Sequence, residues 1–165
     1  VSADHPDHAF DSAKYRQVLG HFPTGVTVVT AMTDDGPAGM AIGSFSSVSL
    51  DPPLVLFCPQ KTSGSWTRIK GSGNFCVNIL AEDQEDVSRV FASKSDDKFA
   101  EIGWKHSGNG APQITGVLAH IDCEIHDVLD GGDHDIVVGR VTALDVNHEG
   151  GPLIFFRGGY GRVTL

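Results

Sequence analysis

In the stretch DGGDHDIVVGRV (130–141), His134 stands between Asp133 and Asp135, behind Gly131 and Gly132 and ahead of an alternating apolar run. A histidine so placed can ligate a metal, shuttle a proton or make one polar contact from a turn. A second group of possible ligands lies in HIDCEIH, where period-two alternation puts His120, Asp122, Glu124 and His126 on one strand face. Spread along about 20 Å of strand, the four cannot close on one ion, and His134 meets no zinc spacing. The expectation is a solvated polar face and no metal.

Nucleophilic catalysis finds little support. There is no G-x-S-x-G elbow, and the serines crowd mostly into strands and loops without a local histidine. Cys58, Cys76 and Cys123 sit among Phe57, Phe75, Val77 and Ile121, and apolar surroundings raise a thiol pKa and leave it inert. The pairs Asp34/Asp35 and Asp96/Asp97 are expected in turns or on the surface. GGYG (158–161) has no helix pattern after it, so it is neither a dinucleotide fingerprint nor a P-loop.

A phosphate-bearing ligand would need another cradle, and two stretches offer one. GPAGMAIGSFSSVS (36–49) mixes glycine and serine in a strand-like run, where Gly39 and Gly43 let backbone approach a flat ligand. KTSGSWTR (61–68) opens a helix with hydroxyls at Thr62, Ser63 and Ser65 and cations at Lys61 and Arg68, a setting that suits a terminal phosphate. An ordinary capped helix beside a serine-rich strand fits the same residues.

The elements that must position these groups are mostly strands. Tyr15, Val18, Leu19 and Phe22 follow a helical stripe, with Asp11 or Ser12 to cap it and Pro23 and Gly25 to end it. A β-branched strand then turns at Asp35-Gly36, and LVLFCP follows the break DPP (51–53) as a short buried strand. SGSWTRIK suits a short helix capped by Thr62 or Ser63. NFCVNIL is a strand, and DQEDVSRVFASK places Val87, Val90 and Phe91 on one helical stripe. Strands are expected at 118–128, 135–146 and 153–157. Six or so strands with short helices between them predict a mainly β antiparallel barrel or sandwich.

The chain has 165 residues, a formal net charge of −9 and 12 basic against 21 acidic residues. That balance argues against a nucleic-acid or anionic-membrane surface. No apolar run approaches the roughly 18 residues of a membrane span, and VSADHPDHAF carries no secretory signal unless one is already cleaved. Three cysteines without a CxxC pair suggest reduced thiols. The expectation is one cytoplasmic domain over 1–165.

Taken in order, FPTGVTVVT (22–30), GSFSSVSLDPPLVLFCP (43–59), SGSWTRI (63–69), GNFCVNIL (73–80), FASKSDDKF (91–99), GGDHDIVVGRV (131–141) and PLIFFRGGYG (152–161) resemble the short-chain flavin reductase family. These are the reductase components of two-component flavin-dependent monooxygenases, and the likeness covers about residues 10–162. It implies an FMN-binding split barrel, Greek-key-like with short peripheral helices, usually a homodimer. It also implies an NADH-dependent flavin reductase that supplies reduced FMN or FAD to a partner monooxygenase, one hydroxylating aromatic or steroid-derived rings. Two other classes share the barrel: a flavin-binding module without turnover, and an oxidase of the pyridoxamine-phosphate type, which wants a cationic pocket.

Carried over by residue, the resemblance gives the flavin Pro37, Ala38, Gly39, Met40, Ala41 and Ser44. Cys58, Pro59 and Gln60 would line it through backbone atoms, and Gly64 and Ser65 would take its phosphate. Phe91 and Lys98 would join from the 91–99 stretch, where Lys98 replaces the family's common arginine and lacks its bidentate fork. His134, oriented by Asp133, would meet the dinucleotide, with Tyr160 closing the same side. Hydride transfer asks for position more than for an acid or base, so no catalytic side chain is expected. NADH is favoured over NADPH because no arginine cluster offers to hold a 2′-phosphate.

Overall fold

The computed structural model describes residues 10–164; the stretch before Phe10, read above for targeting, and Leu165 lie outside the described residues. Its first elements are α1 (Ser12–Leu19), β1 (Thr24–Gly25), β2 (Thr27–Thr33), β3 (Gly36–Ile42), β4 (Ser46–Ser49) and β5 (Leu54–Phe57). Then come α2 (Gly64–Ser72), β6 (Asn74–Ile79), α3 (Glu85–Ala92), β7 (Trp104–His106) and β8 (Pro112–Ile114). A long hairpin of β9 (Ala119–Gly131) and β10 (His134–Val146) follows, and β11 (Leu153–Phe156) and β12 (Gly159–Arg162) end the fold. The molecule is mainly β, as its alternating apolar pattern predicts.

Seven strands form one antiparallel sheet in the order β3-β2-β6-β9-β10-β5-β4. Its two edges, β3 and β4, are joined by residues 43–45 alone. Laid flat at about 4.8 Å per strand, the edges would stand roughly 29 Å apart. Four Cα–Cα links reach at most about 15 Å. The sheet therefore curls until its edges approach, yet they do not pair, which leaves a barrel split along one seam. A three-stranded sheet, β1-β11-β12, and the β7-β8 pair lie outside the main sheet.

β2 is buried on both faces. Val29 and Ala31 pack with Phe57, Trp66, Phe75 and Val137, while Val28 packs with Leu80, Phe91, Ile114 and Leu153. The β-branched run read from the sequence is thus the partition between two cores. In the first of them, Phe57 meets Phe75 edge-on at 5.1 Å and Trp66 at 5.8 Å. Gly139 makes room for this cluster, since a Cβ there would lie 2.5 Å from Phe75 Cζ.

The first two helices each start at one of the cap residues that the sequence offers. Asp11 Oδ1 accepts the Lys14 N–H at 3.1 Å, and Ser63 Oγ accepts the Trp66 N–H at 3.2 Å. The apolar stripe of α1 differs from expectation in its environment. Tyr15, Val18, Leu19 and Phe22 are all exposed, Phe22 by 73%, because no other element among the described residues lies over them. β7, β8 and β12 are too short to show a period and escape the sequence pattern.

Asp122 departs from the solvated face predicted for it. It is only 1% exposed, lying under the 107–111 turn, where the Asn109 N–H donates to its Oδ2 at 3.3 Å. His120 turns instead to Asn147, with Nδ1 2.8 Å from Oδ1. Among the described residues, no three His, Cys, Asp or Glu side chains gather as a metal site.

One buried amide ties the small β8 strand to the sheet. Asn78 Nδ2 donates to Val28 O and Thr30 Oγ1, each at 3.1 Å, and its Oδ1 accepts the Ile114 N–H at 2.8 Å. Asn78→Leu keeps the bulk and strands that N–H, a loss of about 1–3 kcal/mol. Urea unfolding should show a lower midpoint with an unchanged slope; an unchanged midpoint would mean that packing and the Thr30 hydroxyl, which donates to Pro112 O, hold β8 without the amide.

Candidate functional site

A cleft of about 1220 Å³ opens beside β3, above the roughly 300–1,000 Å³ of most small-molecule sites. Three stretches far apart in sequence build it: β3 with the 43–44 link, the 58–65 segment running into α2, and the end of α3 with the 93–99 loop. His134 reaches its rim from the β9–β10 turn.

Pro37, Ala38, Gly39, Met40, Ala41 and Ser44 all lie on its wall, as do Cys58, Pro59, Gln60, Gly64, Ser65, Phe91 and Lys98. The structure thus gathers the whole set that the resemblance assigns to a flavin. Of the three dinucleotide-side residues it brings only His134. Asp133 points to solvent beside it. Tyr160 does not reach the cleft in this chain, because its hydroxyl shares a 2.8 Å hydrogen bond with Ser88 and its ring lies under Arg89.

Each wall is fixed by identifiable bonds. Ser44 Oγ accepts the Cys58 N–H at 2.9 Å and donates to Cys58 O at 3.3 Å, which clasps the β3–β4 link to the end of β5. Gly39 is needed for a reason the sequence did not reveal: a Cβ there would fall 2.7 Å from Phe91 Cε1. Its missing side chain admits the Phe91 ring from α3, so α3 packs directly against the cleft wall.

The cations are redistributed relative to the sequence expectation. Lys61 is drawn out of the cleft by an ion pair with Asp130, whose hydrogen bond raises the lysine pKa and lowers that of the carboxyl. Arg68 lies on the wall, but its Nη2 is shared among Thr33 Oγ1, Gly36 O and Pro37 O at 3.3–3.4 Å. It braces the β2–β3 turn. Lys98 takes the position beside the helix start, where Nζ donates to Ser65 Oγ at 3.2 Å, Gly39 O at 3.2 Å and Phe91 O at 3.1 Å. All three acceptors are neutral, and among the described residues no carboxylate pairs with this ammonium. Burial lowers its pKa.

At the rim, His134 Nδ1 donates to Asp133 Oδ1 at 2.7 Å, which leaves Nε2 for a ligand. The same hydrogen bond holds the Asp133 carboxyl below its usual range. Two glycines allow the tight turn: Gly132 has φ +83°, and a Cβ on Gly131 would lie 3.0 Å from Ile136 Cγ1. Backbone bonds seat the turn on the 59–61 segment, with Lys61 N–H to Asp133 O and Asp135 N–H to Pro59 O, both at 3.0 Å.

Of the 93–99 loop, only Lys98 was expected at the cleft. Asp96 and Asp97, expected as surface charge, line the cleft with Lys94, so Arg68, Lys94 and Lys98 face Asp35, Asp96 and Asp97. The arrangement can hold a flat ring against backbone and an anion at the start of α2. Among the described residues, no serine or cysteine in the cleft is hydrogen-bonded to a histidine.

The three thiols divide. Cys76 and Cys123 are fully buried; burial foremost, then the neighbouring Asp122 charge, pushes both pKa values up, Cys123 to about 12. Cys58 is half-buried on the cleft wall and is not a core residue. A disulfide reagent at pH 8 should therefore titrate one thiol per native chain and three after denaturation. Rapid reaction of two or more native thiols would contradict this burial.

A family profile described as "Flavin reductase like domain" matches residues 19–164. A flavin reductase of Pseudomonas putida is 51% identical over 162 residues, 98% of this chain and 95% of that protein. The crystal structure of nitrilotriacetate monooxygenase component B from Mycobacterium thermoresistibile superposes with a TM-score of 0.91 at 52% identity, covering 93% of this chain and 87% of the other. The NADH:FAD oxidoreductase SgcE6 of Streptomyces globisporus, solved with NAD and FAD fragments, gives 0.89 at 40% identity, with 93% of each chain covered.

Proposed function

The chain belongs to the flavin reductase-like domain family and is a flavin reductase, and from that premise we propose that it takes its hydride from NADH and supplies reduced FMN or FAD to a separate monooxygenase component. The observation that carries the site is the Lys98 ammonium, half-buried beside Ser65 in the first turn of α2 and, among the described residues, without a carboxylate partner. Both flavins bear phosphate, and an unpaired cation at a helix start suits an anion.

A bound flavin supplies the hydride-accepting ring; the chain supplies position and polarity. Pro37–Ala41 and Ser44 present backbone to one side of it, and Cys58, Pro59 and Gln60 do so from across the Ser44 clasp. Gly64 and Ser65 receive the phosphate. Lys98 occupies a lone pair of Ser65 Oγ, so the serine proton remains free to donate. Phe91, seated against Gly39, backs the wall. His134 meets the dinucleotide through Nε2, with Asp133 holding Nδ1. Tyr160, held by Ser88 and Arg89, stays outside the cleft of its own chain.

NADH is favoured over NADPH because the cleft's arginine, Arg68, already donates to the β2–β3 turn; the complex of SgcE6 with NAD fragments supports the same choice. The likeness to a monooxygenase component supports an oxygenase partner. On the resemblance of the 43–59 and 131–141 motifs, that partner hydroxylates aromatic or steroid-derived rings. Three thiols, none bridged, suit a reducing cytoplasm, and no helix among the described residues is long and apolar enough to cross a membrane.

Absorbance at the nicotinamide band, with NADH or NADPH against FMN or FAD, tests the reading directly. Turnover with NADH is expected, and flavin binding without turnover would reduce the protein to a carrier. Two variants separate the sides of the cleft. Ser65→Ala should weaken flavin binding about 10- to 150-fold, the equivalent of about 1.5–3 kcal/mol for a hydrogen bond to a charged group. His134→Ala should lower kcat/KM for NADH only a few-fold to about tenfold, where loss of an acid–base catalyst would cost about 10²–10⁴-fold. Wild-type NADH kinetics in His134→Ala would leave the histidine as turn chemistry.

A homodimer is also proposed, supported by the uncovered stripe of α1 and by Phe155 and Phe156, which stay partly exposed where β11 meets the helix. The contact is direct, with the Arg157 N–H bonded to Gly20 O at 2.8 Å. Light scattering at micromolar concentration should give twice the chain mass, and Leu19→Asp should shift it toward the monomer. An active wild-type monomer would rule the dimer out.

A further inference from the structure

Asp135, the second aspartate beside His134, bonds away from the cleft. Its Oδ2 accepts the indole Nε1–H of Trp66 at 2.8 Å, and Trp66 is only 2% exposed. Trp66 follows Gly64 and Ser65 directly in α2, and its own N–H is held by Ser63. Strand alternation explains the division of labour: neighbours on β10 point to opposite sides, so His134 faces the cleft while Asp135 faces α2. The backbone ladder described above seats the turn on residues 59–61, which precede the helix. Among the described residues, the Asp135–Trp66 pair is the side-chain hydrogen bond that joins the hairpin to α2 itself.

We propose that Asp135 is a positioning residue: through the Trp66 indole it registers His134 against the start of α2, and so sets the offset between the dinucleotide side and the phosphate side of the cleft. The inference rests on placing NADH at His134 and the flavin phosphate at Ser65. Hydride transfer depends on alignment, and a displacement of about 1 Å costs on the order of 10²-fold in rate. Loss of the bond therefore appears in the hydride step and spares flavin affinity, because Gly64, Ser65 and Lys98 keep their own contacts.

Three variants test this. Trp66→Phe removes the donor and keeps an aromatic ring beside Phe57, Asp135→Ala removes the acceptor, and Asp135→Asn keeps an acceptor oxygen. Single-turnover stopped flow with NADH should show the hydride step slowed about 5- to 50-fold in Trp66→Phe and Asp135→Ala, with flavin Kd within about twofold. The double variant Trp66→Phe/Asp135→Ala should be no slower than the slower single, because one bond is lost either way, and Asp135→Asn should recover much of the rate. A wild-type step rate in Trp66→Phe, or losses that multiply in the double variant, would overturn the role of Asp135. If Asp135→Ala does not fold, Trp66→Phe decides alone. A wild-type protein that does not reduce flavin with NADH would overturn the placement of both ligands, and this inference with it; active wild type with an unaffected Trp66→Phe overturns only the positioning role.

Discussion

Residues 43–45 must carry the chain from one edge of a seven-stranded sheet to the other, and most of the molecule's geometry follows from that short link. A flat sheet cannot satisfy it, so the strands curl and enclose the first core around Phe57, Trp66 and Phe75. The same link passes Ser44 within hydrogen-bonding distance of Cys58, where one hydroxyl serves both the N–H and the C=O of that residue. Because the edges approach without pairing, the outer side of β3 keeps backbone available to a ligand. The cleft is thus a by-product of closing the sheet incompletely.

Much of this was legible in the sequence, and the gaps have physical causes. Local patterns narrowed the caps to Asp11 or Ser12 and to Thr62 or Ser63, and located the β-branched strand β2 and the long strands β9 and β10. Contacts between distant segments were not legible. Nothing near Gly39 announces that Phe91 will fill the space beside it. Asp122 looks like its neighbours His120 and Glu124, yet it alone is roofed by the 107–111 turn. Lys61 and Lys98 look equally available for an anion, and only the fold shows that Asp130 claims the first. The α1 stripe shows the converse: its helical period is plain in the sequence, but a period cannot say whether anything covers it.

The charge pattern around the cleft bears on how firmly it can hold an anion. Three cations face three carboxylates, so the wall as a whole attracts little. The grip falls to one ammonium, one hydroxyl and the first N–H groups of α2. Burial lowers the Lys98 pKa, since desolvation disfavours the charged form. An anion at the helix start would act in the opposite sense and favour the charged form.

Asp133 and Asp135 flank the same histidine and are indistinguishable by type. Their place in the hairpin separates them: Asp133 lies in the turn before β10 and bonds the neighbouring imidazole, whereas Asp135 lies on the strand and reaches an indole 69 residues away in sequence. Local reasoning can find the first partner, because adjacency supplies it. The second depends on α2 packing against the curled sheet, which no motif encodes. Hydride transfer makes this distinction consequential. A reaction that needs a proton moved marks its residues by chemical type, whereas one that needs two rings aligned marks them only by position. Its supporting side chains therefore look like ordinary structure until the fold shows what they hold in place.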